Sequence, residues 1–156
     1  MNSRPPLLRL GGEEHFQSYQ REFNRLYLYG DVVDVLGNQV RFTRSSCWHV
    51  CRKRDEEDRS ARRKREQWSQ ERAEHIPWIM AALTNSQTEV RPNNHDPENR
   101  LNYLLAIEGE YYVVVAEREM PNAVRFITAY PIQQKDWVEY RKAGLALYPL
   151  KKKKDE

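Results

Sequence analysis

The chain has little of what marks the common enzyme classes. Its six glycines fall singly or at turn-like positions in 156 residues, so no Gly-rich loop is available to cradle a nucleotide phosphate. No Gly-x-Ser-x-Gly elbow and no His-Glu-x-x-His helix occurs, which removes the usual support for serine hydrolysis and zinc proteolysis. No apolar run approaches the ~20 residues of a membrane span. The first 14 residues lack a basic-then-apolar leader pattern. Two cysteines, Cys47 and Cys51, are too few and too close to staple a secreted fold. A reducing, cytoplasmic setting with no membrane partner is therefore expected. Charge of one sign is also scarce: 26 Lys+Arg against 23 Asp+Glu leave a net +3. A nucleic-acid role must then rest on how the charge is distributed.

What is present is an aromatic load of 11% within 39% hydrophobic residues, enough for the core of one ordinary domain. Residues 1–12 hold Pro5, Pro6, Gly11 and Gly12 without an amphipathic period, and read as a flexible arm. Phe16, Tyr19, Phe23, Leu26 and Tyr27 recur at spacings of three and four, which predicts a helix ending before Gly30. Two β-rich runs around Gly37-Asn38 predict a hairpin. Ser45 or Ser46 can cap a helix starting near Cys47. Residues 52–66 are nearly all charge and predict a solvated helix extension or a mobile insertion. A helical pattern resumes from Trp68 to Leu83, with Pro77 kinking it or starting a second helix.

Residues 91–99 read as a polar loop. Leu101–Ile107, Tyr111–Ala116 and Val124–Tyr130 then predict an antiparallel meander with the Tyr111 run in its centre. Strict alternation along the last run puts Phe126, Thr128 and Tyr130 on one face and Arg125 on the other. A helix over Lys135–Ala143 stops at Gly144, and residues 151–156 form a basic tail. The fold class is α+β: N-terminal helices packed on a three- or four-stranded antiparallel sheet, in one domain over residues 13–150.

The polar residues offer one chemistry that needs no metal and no cofactor. His49 opens a helix after the hairpin, Arg72 lies on a later helix, and Arg125, Thr128 and Tyr130 lie on the last strand. An imidazole can take the proton of an RNA 2′-hydroxyl, a guanidinium can hold the phosphate, and hydroxyls can position or protonate the leaving group. The plain alternative is structural: ordinary hydrogen-bonding side chains with no joint role. Arg59, Arg62, Arg63, Lys64 and Arg65 can bind phosphate backbone, or form a solvated face laced with ion pairs. Cys47 and Cys51 bracket His49 at a spacing unsuited to zinc, and read as buried thiols. Tyr27, Tyr29, Tyr111 and Tyr112 can stack on bases or pack in the core.

Several segments taken in order carry a resemblance. They are Val40-Arg-Phe-Thr, Cys47-Trp-His-Val, Glu71-Arg-Ala-Glu-His-Ile-Pro-Trp-Ile79, Tyr103-Leu-Leu, Tyr111-Tyr-Val-Val-Val115 and Phe126-Ile-Thr-Ala-Tyr-Pro131. The pattern resembles phage- and toxin-associated nucleases of the barnase–EndoU–colicin–RelE superfamily, over roughly Val32 to Ile132. The resemblance implies a barnase/RelE-like fold and a metal-independent endoribonuclease cleaving RNA, including tRNA. It also implies an antitoxin or immunity protein as partner. His49, Arg72, Thr128 and Tyr130 match the catalytic positions. Two other readings stay open: an inactive nucleic-acid- or protein-binding module of the same fold, and a toxin–antitoxin partner subunit.

Overall fold

The computed structural model describes residues 3–54, 66–119, 121–142 and 146–149. Among the described residues, five helices and eight strands form a mixed α+β architecture. A short 3-10 turn leads into α1 (Phe16–Phe23), which continues through a wide turn at Asn24–Leu28 closed by Tyr29 N–H donating to Asn24 O. The predicted apolar face is the buried one: Tyr19, Phe23 and Tyr27 are all interior. Tyr27 Oη donates to Ile76 O at 2.5 Å and accepts from Met80 N–H at 3.0 Å, tying this helix to the middle of the chain. The expected arm lies along the core. Leu8 N–H donates to Glu74 O, and Leu7, Leu8 and Leu10 pack on buried residues.

The hairpin forms as predicted, from β1 (Val32–Val33) and β2 (Gln39–Arg41). Its turn is organised by Asp34, whose carboxylate accepts from the N–H groups of Leu36 and Asn38 and from the Tyr103 hydroxyl. α2 (Ser46–Val50) follows and buries Cys47 and Val50. The charged stretch departs from the expected helix extension. Arg52–Arg54 form β3, paired antiparallel with β4 (Glu66–Trp68). Residues 55–65 and 150–156 lie outside the described residues, and with them the basic cluster Arg59 to Arg65 and the basic tail. Trp68 is a strand residue, so the next helix, α3 (Gln70–Glu74), starts later than its pattern suggests, capped by Ser69. Pro77 begins α4 (Ile76–Thr84) instead of kinking one long helix.

β5 (Glu89–Pro92), an unexpected strand, takes in the first two residues of the expected polar loop. It is an edge strand, where a proline is tolerated. Its outer side is covered by residues 147–148, through hydrogen bonds to Val90. β6 (Arg100–Ile107), β7 (Glu110–Glu119) and β8 (Ala123–Ile132) make the predicted meander, followed by α5 (Gln134–Arg141).

The sheet is larger than expected. It has six strands in the order β1-β2-β8-β7-β6-β5, with β7 central, and β2 joins β8 in parallel. The main core, with Trp78, Tyr103, Tyr112 and Phe23, fills the face beneath α1–α4. The opposite face carries a smaller cluster, Leu104, Val113 and Val115, covered by Trp137 and Tyr140 of α5. Among the described residues no helix is long and apolar enough to cross a membrane.

Candidate functional site

Two backbone features of β8 create the site. The first is a bulge. Ala116 pairs with Phe126 and Val115 with Thr128, so Ile127 is an extra residue without an opposite number. The bulge breaks the strict alternation read from the sequence. Phe126 turns to the main core, while Arg125 (opposite Glu117), Thr128 (opposite Val115) and Tyr130 (opposite Val113) share the other face. The expected grouping of Phe126 with Thr128 and Tyr130 is corrected, and Arg125 joins the two hydroxyls instead. The second feature is an open edge. β2 pairs with β8 only at Ala123–Arg125, so beyond Arg125 no strand among the described residues flanks that side of β8. α2, the β3–β4 ribbon and α3 approach there.

The space between them is a cleft of 650 Å³. It is lined by His49 of α2, Arg72 of α3, and Arg125, Thr128 and Tyr130 of β8. All five described site residues predicted from sequence thus meet in one concavity. The sequence reading missed the hydroxyls of Thr43, Ser45 and Ser46 in the same wall; three further cations there, Arg52, Lys53 and Arg54, open the charged run that was read as able to contact phosphate, but nothing placed them at this cleft. No periodicity points to them, because the ribbon that presents β3 forms only by pairing with β4. Among the described lining residues Glu66 is the one carboxylate against five Lys and Arg side chains. The local field therefore favours an anion.

Each cation is held differently. Arg72 is half-buried, with its guanidinium carbon 4.7 Å from the Tyr130 ring centroid and Nη1 donating to Arg52 O at 2.8 Å. Burial pushes its pKa down, partly offset by the neighbouring tyrosine hydroxyls, yet an arginine remains charged. Arg52 is only 11% exposed and lies 4.2 Å from the centre of the Trp48 ring, with Phe16 and Trp68 also near. It anchors the ribbon and leaves Lys53 and Arg54 as the exposed cations there. Arg125 pairs with Glu117 at 3.2 Å, so its charge is partly neutralised.

Tyr130 Oη and Tyr140 Oη are 2.6 Å apart. Burial, followed by this hydrogen bond, raises the Tyr140 pKa above the ordinary phenol value, so it keeps its proton at neutral pH. His49 is exposed. Its ring meets Trp48 edge-on at 5.3 Å and makes no hydrogen bond to a described residue.

The remaining candidates are structural. The thiols of Cys47 and Cys51 are buried 4.0 Å apart. The Cys51 thiol and burial push Cys47 well above its ordinary pKa, which disfavours the thiolate. No cluster among the described residues could hold a metal ion. Tyr27 and Tyr112 belong to the core, while Tyr111 packs on Trp137 and Tyr29 is 79% exposed away from the cleft.

Comparison with protein-family models, curated proteins and solved structures finds no match. The geometry alone carries the functional reading.

Proposed function

We propose that the cleft binds an RNA strand and cleaves it as a metal-independent endoribonuclease acting in the cytoplasm. The observation that carries this reading is the gathering of His49, Arg72, Arg125, Thr128 and Tyr130 from three separated segments into one cationic cleft. Such a wall matches a sugar–phosphate link. The donor set offers a divalent cation a single carboxylate, Glu66, which supports chemistry run by the side chains themselves.

In the reaction His49 accepts the 2′-hydroxyl proton and the 2′-oxygen attacks the adjacent phosphorus. The phosphorus–5′-oxygen bond breaks, leaving a 2′,3′-cyclic phosphate and a 5′-hydroxyl. Arg72 and Arg125 stabilise the charge that gathers on the phosphoryl oxygens. Tyr130 gives the leaving oxygen its proton, and the transient phenolate is stabilised by a hydrogen bond from Tyr140 and by the guanidinium over its ring; His49 then releases its proton to solvent and Tyr130 takes one back. Thr128 positions the phosphate. Helices packed on a mainly antiparallel sheet support the resemblance to the barnase–EndoU–colicin–RelE superfamily, and with it an antitoxin or immunity protein as partner.

Purified protein incubated with total tRNA is expected to produce cyclic-phosphate ends, and His49→Ala to lower the rate by about 10²-fold or more. The melting temperature should not change, because His49 is exposed. Cleavage untouched by that substitution would remove His49 from the mechanism. One observation favours a second reading. No described residue hydrogen-bonds the His49 imidazole, as a module that binds RNA without cutting it would allow. Salt-dependent RNA binding without cleavage would support that module, or a toxin–antitoxin partner subunit of the same fold.

A further inference from the structure

A second cleft, of 530 Å³, lies on the other side of the contact between α3 and β8. The two clefts divide adjacent residues between them. Arg72 and Tyr130 line the first, and their chain neighbours Glu71 and Pro131 line the second. The two clefts therefore lie next to each other along β8.

Its chemistry is the opposite of the first. No described Lys or Arg lines it; the ionisable lining is Glu71, Glu110 and His75. A phosphate is disfavoured there, whereas a neutral group with hydrogen-bond donors is welcome. Aromatic walls come from Trp78, Tyr111 and His75, the last stacked on Tyr112. Trp78 is only 1% exposed, and its indole N–H has no partner among the described residues. Such an orphan donor calls for an acceptor. His75 Nδ1 lies 2.6 Å from Glu71 O. A carbonyl only accepts, so Nδ1 carries a proton and Nε2 of the neutral ring is left as an acceptor. Glu110 Oε2 has no aligned hydrogen bond, although Arg4 Nε is 2.8 Å away.

We propose that this second cleft is a nucleobase subsite that takes adenine or cytosine in preference to uracil. Both bases present an exocyclic amine beside an unprotonated ring nitrogen. The amine donates to a carboxylate or to His75 Nε2, and the ring nitrogen accepts from Trp78 Nε1–H. Uracil held the same way sets a carbonyl against these acceptors and its N–H against the indole; turned over, it still brings a single N–H between two carbonyls to a wall of three acceptors. The proposal rests on the reading of the first cleft as an RNA site for its biological meaning, but its test does not.

Nucleosides without phosphate isolate the subsite. In an amide- and indole-resolved NMR titration of the full chain, cytidine and adenosine should move the Trp78 indole signal, assigned by its loss in Trp78→Phe. Uridine should bind about tenfold more weakly or worse, the worth of one charge-assisted hydrogen bond. Glu110→Gln should weaken cytidine by a similar factor. Gln134→Trp, an exposed substitution that fills the cleft, should abolish the shift even if Trp78→Phe does not fold. An indole signal that ignores all three nucleosides, or answers uridine as well as cytidine, overturns the proposal. His49→Ala should leave these titrations unchanged. Discrimination between nucleosides without RNA cleavage would keep the subsite and discard the ribonuclease reading; His49-dependent cleavage without discrimination would do the reverse.

Discussion

Arg72 has both a chemical role and a structural one. Its charge faces the cleft, its flat face lies over Tyr130, and its Nη1 bonds the carbonyl of Arg52. Lysine keeps only the first of these. Arg72→Lys is expected to cost about 1 kcal/mol of stability and to slow cleavage about tenfold or more, read by thermal denaturation and by kcat/KM on tRNA. Tyr27 is structural alone. Tyr27→Phe leaves the Met80 N–H and the Ile76 carbonyl without their side-chain partner, at an expected cost of 1–3 kcal/mol. Denaturant unfolding checks it, and cleavage by the folded fraction should be unaffected. At this scale the sequence showed the chemical groups, because His49, Arg72, Thr128 and Tyr130 are visible as types in suitable segments. It did not show Tyr140, whose hydroxyl reaches Tyr130 only once α5 folds back over the sheet.

Among the elements, β8 decides the site. Its bulge places Arg125 on the face of Thr128 and Tyr130, a grouping that alternation forbids. Removing the extra residue, Ile127, leaves a regular ladder in which every later side chain keeps its face. That deletion is expected to fold, with a loss of roughly 1 kcal/mol from partly buried apolar contact. Deleting Ala129 instead sends Tyr130 and all that follows to the wrong faces, and should abolish cooperative unfolding. Circular dichroism melts of the two deletions read the difference. The hairpin, α2, the meander and α5 were legible because their period and turn residues are local. The β3–β4 ribbon was not, since a run of charge has no period and pairs only through a partner across residues 55–65. β5 was missed for a similar reason: four residues ending in proline make a strand only at the edge of β6.

For the whole molecule, buried phenols make a large contribution to stability at high pH, beside the smaller one of the single Cys47 thiol. Burial raises the pKa values of Tyr27, Tyr103, Tyr112 and Tyr140 above the ordinary phenol value. The folded state thus holds protons that the unfolded chain releases, so this contribution is complete below about pH 10 and is lost as pH rises beyond it. Unfolding free energy measured against pH is expected to stay level on this account from neutrality to about pH 9.5. It should then fall, each phenol contributing up to about 1.4 kcal/mol per pH unit. A curve still level at pH 11 would show these hydroxyls to be in contact with water.

The amino-acid sequence by itself determined the class of the molecule: α+β, one apolar core rich in aromatics, with five candidate side chains on predictable elements. Those features follow from local periodicity and from residue chemistry, which neighbours along the chain dictate. Tertiary structure decided everything that needs two distant segments at once. It added β2 to β8 in parallel, stopped that pairing at Arg125, set a bulge next to the gap, and brought α2, the ribbon and α3 against the exposed edge. A concave cationic site is a property of such meetings. Backbone hydrogen bonding and burial choose them across the whole chain, and no stretch of residues contains them alone.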